Sequence, residues 1–161
     1  MVSRKEKAKA LFMQGYNCSQ SVTLAFSDML GLDEKTLSRI SCSFGGGMGR
    51  LREVCGAVSG MLIVAGLLYG YEGPESGKVK NDHYARIQEL ALKFEEQYGS
   101  IVCREMLGLK VRHDTPQSAP RTSDFYKKRP CPELIGAAAE ILEEYISKHG
   151  KDVINEEGKH S

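Results

Sequence analysis

The chain lacks the charge pattern of a nucleic-acid-binding protein. It carries 22 Lys and Arg residues against 21 Asp and Glu residues, so neither sign of charge dominates. No basic block and no cluster of aromatic side chains is present that could follow a phosphate backbone or stack on bases. The composition therefore predicts no nucleic acid as a partner.

Signals for export and for membrane insertion are also weak. Residues 1–9 are charged and lack the apolar core and small-residue cleavage site of a secretory signal, which predicts a cytoplasmic protein. The uncharged run 54–71 is about as long as the shortest membrane spans. It contains four glycines, a cysteine and a serine in an otherwise polar chain, so we expect no membrane span and place it in a protein core.

No segment alternates apolar and polar residues as a strand would, whereas helical spacing recurs along the chain. At 161 residues the chain can bury a core without disulfides or metals. We predict an all-α, compact single-domain bundle of about five to seven helices around a buried, glycine-rich central helix over about 52–70. The domain is predicted to span residues 1–149, followed by a charged flexible tail over 150–161, and residues 115–130 are predicted to be an irregular loop.

The usual short signatures of haem and zinc sites are missing. No Cys-x-x-Cys-His segment occurs, which argues against a c-type haem, and no closely spaced cysteine pair forms a zinc knuckle. The four histidines show no ligand spacing and are predicted to be solvated: His83, His113, His149 and His160. Any metal site must therefore be assembled by the tertiary fold.

Cysteine, by contrast, is present five times, and the placement of four of them is informative. They fall at or near predicted helix starts: Cys18, Cys55, Cys103 and Cys131. Free backbone N–H groups and the positive end of the helix dipole favour a thiolate at such positions. Cys42 lies near the end of a predicted helix, so we interpret it as a small buried hydrophobe outside this group.

Four thiolates are the usual ligand set of an iron–sulfur cluster. We therefore predict that the four helix-start cysteines hold such a cluster for electron transfer or redox sensing. Two alternatives remain open: the same four residues are catalytic in thiol–disulfide exchange, or the chain is a non-catalytic helical partner subunit with inert thiols. The sequence also leaves open whether the chain is an enzyme, which redox protein is its partner, and whether it forms a homo-oligomer.

A glycine-rich segment, Phe44-Gly45-Gly46-Gly47-Met48-Gly49-Arg50, precedes the second of these cysteines. It lacks the Gly-Lys-Ser/Thr ending of a phosphate-binding loop, and no predicted strand precedes it, so nucleotide binding is disfavoured. We expect four residues to support the cofactor by close backbone approach or by positive charge: Gly46, Gly47, Arg50 and Gly56. Arg52 is a second source of such charge, and the alternative is a tight turn with two solvated arginines.

Taken together, these residues resemble the redox-active proteins labelled C-GCAxxG-C-C. The resemblance covers about residues 10–145 and rests on four segments: Asn17-Cys18-Ser19-Gln20, then the glycine-rich segment leading to Cys55-Gly56-Ala57-Val58-Ser59-Gly60, then Cys103, and finally Cys131-Pro132. The label places glycine before the central cysteine, whereas here Val54 precedes it and Gly56 follows. The resemblance implies redox chemistry at the same four cysteines. A related domain occurs beside haem and iron–sulfur centres in split-Soret cytochromes, which favours the cluster hypothesis.

Overall fold

The computed structural model describes residues 1–74 and 77–150, and within these ranges the chain is all-α, as predicted. Apart from one isolated bridge, the described residues hold no β-structure. They form eight regular α-helices: α1 (Arg4–Met13), α2 (Cys18–Leu24), α3 (Glu34–Ser41), α4 (Gly56–Tyr69), α5 (Lys78–Tyr98), α6 (Cys103–Met106), α7 (Ser123–Lys128) and α8 (Cys131–His149). Two short 3-10 turns, Ser27–Met29 and Cys42–Phe44, and one distorted turn, Gly45–Met48, complete the helical structure of these ranges. The tail predicted for residues 150–161 lies, apart from Gly150, outside the described residues.

Helix α4 lies against α2, α5 and α8, while α1 packs on α8. The sequence of α4 is apolar on nearly every side, and five of its side chains have no exposed surface: Ala57, Val58, Met61, Val64 and Ala65. The helix begins at Gly56, four residues later than the sequence predicted. The helix begins later because the residues just before Gly56 are extended and form backbone hydrogen bonds with the segment around Val102. In the described ranges, no helix is both long and apolar enough to cross a bilayer.

Asn17 followed by Gln20 three residues later is the sequence pattern of a capping box, and such a box fixes the start of α2. The Asn17 side chain accepts a hydrogen bond from the Gln20 backbone N–H (2.9 Å), and the Gln20 side chain accepts one from the Asn17 N–H (3.1 Å). Two backbone donors that a helix start leaves unpaired are thereby satisfied. This cap sets Cys18 as the first residue of the helix.

Helix α7 was not predicted, and with it the described residues hold one regular α-helix more than the upper end of the predicted range of about five to seven. It lies inside the stretch 115–130 that was expected to be an irregular loop. Thr122 caps it by accepting a hydrogen bond from the Phe125 N–H (3.2 Å). Phe125 and Tyr126 then pack on Phe12 of α1, with ring centroids 6.3 and 5.6 Å from its ring. Tertiary packing of two aromatic rings thus stabilises a helix too short to form alone.

Helices α2 and α4 approach each other closely where α4 has no side chains. A Cβ built at Gly60 would lie 2.6 Å from the carbonyl oxygen of Ser19 and 3.0 Å from the Cβ of Val22. Gly66, two turns further along the same helix, has no atom within 4 Å of its added Cβ. Glycine at position 60 is therefore required by packing, and at position 66 it is not.

The two glycines make a matched pair of variants. Gly60→Ala should lower the free energy of unfolding by about 1–3 kcal/mol because the helices must move apart. Gly66→Ala should leave it unchanged or raise it by up to about 1 kcal/mol, because alanine favours the helix and meets no neighbour. Urea unfolding followed by circular dichroism measures both, and equal effects would contradict the close approach.

Candidate functional site

The structure brings all four helix-start cysteines to the wall of a single cavity of about 220 Å³. Cys55 and Cys103 are buried, whereas Cys18 and Cys131 are half-buried. Cys42 does not line this cavity. It was expected to be buried but is exposed, because it lies at the C-terminal cap of α3 and turns its Sγ towards the Arg39 carbonyl oxygen (3.2 Å). Residues widely separated in the sequence thus share one cavity.

A short antiparallel pairing joins Cys55 to Cys103. Val54 and Val102 form an isolated bridge, flanked by two hydrogen bonds. The Cys55 N–H donates to the Ile101 carbonyl oxygen (2.7 Å), and the Cys103 N–H donates to the Glu53 carbonyl oxygen (2.6 Å). Both cysteines then enter a helix at once, as the N-terminal cap of α4 and the first residue of α6. This pairing explains why α4 cannot begin earlier.

Cys18 reaches the same place because Gly56 has no side chain. A Cβ built at Gly56 would overlap the Cys18 Sγ and would lie 2.9 Å from the Phe44 carbonyl oxygen. Cys131 reaches it as the first residue of α8, which packs on α1 and α4. Pro132 follows it, in the first turn, where its missing N–H costs no hydrogen bond. All four cysteines therefore stand at helix starts, as the sequence predicts.

The glycine-rich segment forms a left-handed turn beside the cavity. Gly46 and Gly47 have φ values of 67° and 70°, a region that favours glycine. Of the four predicted supporting residues, Gly46, Arg50 and Gly56 line the cavity. Gly47 does not, but a Cβ there would lie 2.7 Å from the Cβ of Cys103. Its lack of a side chain therefore leaves room for that cysteine.

Arg52 is a charged group in direct contact with one of the cavity cysteines. It is 2% exposed, has φ of 60°, and places Nη1 3.6 Å from the Cys103 Sγ. Its Nη2 donates to Oδ2 of Asp114 at 2.9 Å, and Arg50 donates to the same oxygen at 2.9 Å. One carboxylate thus orients two guanidinium groups, and it holds the segment around residue 114 over the site. Asp114 was not predicted, because nothing in the sequence around it marks a functional residue.

Burial reverses the expected effect of the helix starts on the thiols. It raises the pKa of Cys18 and of Cys55, and it raises the pKa of Cys131 to about 11. The nearby Cys18 thiol adds to the pKa increase at the other two. Backbone N–H groups act in the opposite direction, that of Gly46 on the pKa of Cys18 and that of Val58 on the pKa of Cys55. These three thiols are therefore neutral at pH 7 unless something binds them.

The cavity does not contain a ready-made site for a single metal ion. Among residues 1–74 and 77–150, no three His, Cys, Asp or Glu side chains come together closely enough to hold one. None of the three described histidines lines the cavity. His83 instead lies 3.1 Å from an Arg86 nitrogen, and His149 stacks on Tyr145. The four cysteines therefore line a common cavity without converging on one point.

These features define an all-α protein in which four thiols from four helix starts face an arginine-lined cavity. Residues 16–145 match the family model described as "Putative redox-active protein (C_GCAxxG_C_C)". The chain belongs to this family, as its resemblance suggested. No curated protein and no solved structure matches the chain.

The raised pKa of Cys131 predicts a loss of stability in alkali. Between its ordinary value near 9 and about 11, the thiol stays protonated in the folded protein and ionises in the unfolded chain. The contribution of this thiol to the free energy of unfolding is therefore fully present below about pH 9 and falls by about 2 kcal/mol by pH 11. Urea unfolding at pH 8 to 11 should show a steeper decline for the natural protein than for Cys131→Ser. Parallel declines would contradict the burial of this thiol.

Proposed function

We propose that the protein is a redox protein in which Cys18, Cys55, Cys103 and Cys131 hold an iron–sulfur cluster. The observation that carries this proposal is that the four side chains share one cavity despite intervals of 37, 48 and 28 residues along the chain. Electron transfer or redox sensing is the corresponding function, because such a cluster exchanges single electrons when bound.

The donor set fits a cluster in number and in kind. Four cysteine thiolates are the common ligand set, and a cluster fills a volume between its ligands. The four cysteines line one cavity of about 220 Å³, whereas no three ligands in the described ranges lie close enough together for a single ion. Backbone N–H groups of Gly46 and Val58 point at cysteine sulfurs, as hydrogen bonds that stabilise cluster ligands do.

The charges near the thiols also favour an anionic group. Arg52 is nearly fully buried and faces the Cys103 sulfur, so it would offset negative charge on ligating thiolates. Burial by itself lowers the pKa of Arg52, but hydrogen bonds to Cys103 and Asp114 outweigh this effect and raise it. Its positive charge is therefore permanent, and Asp114 keeps it oriented.

The raised thiol pKa values favour ligation over spontaneous nucleophilic attack. A nucleophilic cysteine needs a thiolate near neutral pH, whereas burial keeps Cys18, Cys55 and Cys131 protonated. Metal binding removes these protons, because only the thiolate is a ligand. Loading of the site should consequently release protons and weaken as the pH falls.

Thiol–disulfide exchange is the second candidate, and the contact between Arg52 and Cys103 favours it. The Arg52 Nη1 lies 3.6 Å from the Cys103 Sγ, so a positive charge stands beside the sulfur that would attack. The Cys103 thiolate would attack one sulfur of a substrate disulfide, the substrate S–S bond would break, and a thiolate would leave. A second cysteine of the cavity would then displace the bound half and close an internal disulfide.

The cluster proposal predicts iron and acid-labile sulfide in protein purified without oxygen, with visible absorption. Cys55→Ser should lose most of the iron, because it removes a buried ligand. Cys42→Ser is the matched control and should keep it, since Cys42 is exposed and does not line the cavity. Elemental analysis and absorption spectra measure both.

Two outcomes would contradict the cluster. One is protein without iron and sulfide even after anaerobic incubation with ferrous iron and sulfide. The other is equal iron content in the two serine variants. Disulfide mapping after mild oxidation would then test the exchange mechanism, which requires links between cysteines of the cavity.

A further inference from the structure

The cavity is lined by positive charge as well as by thiols. Four arginines contribute to its wall: Arg50, Arg52, Arg121 and Arg129. No Asp or Glu is among the described residues that line it. Asp114 pairs with the first two arginines from outside this wall. The other two carry positive charge that no carboxylate within residues 1–74 and 77–150 offsets through an ion pair.

Arg121 is held over the cavity by uncharged groups. Its guanidinium lies 4.4 Å from the ring centroid of Phe12 and 4.9 Å from that of Phe125. It also donates a hydrogen bond to the Tyr16 carbonyl oxygen at 3.2 Å. Such contacts orient a guanidinium and leave its charge intact. Further N–H donors of this exposed side chain remain free to bind a ligand.

Arg129 contacts the same ring and lies two residues before a cavity cysteine. Its guanidinium is 4.9 Å from the Phe125 centroid, and Cys131 begins the next helix. Arg121 and Arg129 are thus linked by one aromatic side chain. Apolar walls around such charges weaken their screening by water and concentrate small anions.

We propose that Arg121 and Arg129 form a binding site for a small oxyanion, a carboxylate or a phosphate, beside Cys131. The planar guanidinium fork matches both groups. The cavity volume of about 220 Å³ lies below the roughly 300–1,000 Å³ of pockets for drug-sized ligands, so the ligand is small. The inference rests on the proposed function only in treating the cysteine cavity as the reactive centre.

Two alkylating reagents of nearly equal size test the site. Iodoacetate carries a carboxylate and iodoacetamide is neutral, and in both a thiolate forms a C–S bond while iodide leaves with the electrons of the C–I bond. Full-length protein, reduced and freed of metal, is treated with each reagent, and alkylation of Cys131 and Cys42 is followed by peptide mass spectrometry. The ratio of the two rates at one cysteine cancels the fraction of thiolate there.

The iodoacetate-to-iodoacetamide ratio should be roughly tenfold higher at Cys131 than at exposed Cys42, and it should fall with added salt. Arg121→Gln and Arg129→Gln should each lower the ratio at Cys131. The double variant should lower it further, towards the value at Cys42. Lys127→Gln is the control: it removes a charge from the last turn of α7, two residues before Arg129, but Lys127 does not line the cavity. This variant should leave the ratio unchanged.

Competition identifies the anion. Acetate and inorganic phosphate are compared as competitors at equal ionic strength. The anion that slows the alkylation of Cys131 by iodoacetate more strongly is the preferred ligand. Equal ratios at the two cysteines would overturn the inference, as would a ratio at Cys131 that the double variant leaves unchanged. This outcome is distinguishable from failure of the cluster, because iron content and charge preference are measured separately.

Discussion

Helices α2 and α4 lie so close that the fold depends on the absence of two side chains. At Gly60 a methyl group would press on the backbone of α2, and at Gly56 it would occupy the space of the Cys18 sulfur. The same contact therefore belongs to the core and sets how closely Cys18 approaches the start of α4, where Cys55 lies. A core packed at the density of a crystal transmits such a constraint, because neighbouring helices cannot shift independently. The packing of the core and the position of the Cys18 thiol are therefore coupled where α2 and α4 meet.

The second constraint is electrostatic and centres on Arg52. Its guanidinium is nearly inaccessible to water, so its charge requires partners. Asp114 supplies one, and the sulfur of Cys103 lies on the other side. Its backbone also adopts a left-handed φ of 60°, which costs a non-glycine residue free energy. A strained, buried and paired arginine beside four thiols is typical of a site whose charge distribution matters to its chemistry.

Much of the cavity wall could be predicted from local sequence signals. The Asn17 and Gln20 capping box, and proline directly after Cys131, mark helix starts through hydrogen bonds and backbone geometry that depend only on nearby residues. Asp114 and Arg121 could not be found in this way, because their roles arise from contacts with residues far away in the chain. Helix α7 was missed for the same reason.

The ionisation of the thiols shows where local reasoning failed. A helix start favours a thiolate, and the backbone N–H groups do act in that direction. Burial has the larger effect, since removing a thiolate from water costs more free energy than two or three backbone N–H groups return. The sequence shows which residues begin a helix, but the degree of burial depends on every element that covers them. Only the assembled fold displays that balance.

The central claim is that four thiols from distant parts of the chain face one cavity. Anomalous diffraction from crystals of protein prepared without oxygen locates sulfur and iron directly. The account predicts sulfur peaks of Cys18, Cys55, Cys103 and Cys131 around a common space, with iron between them and Cys42 elsewhere. A sulfur of this group that points away from the other three would contradict it.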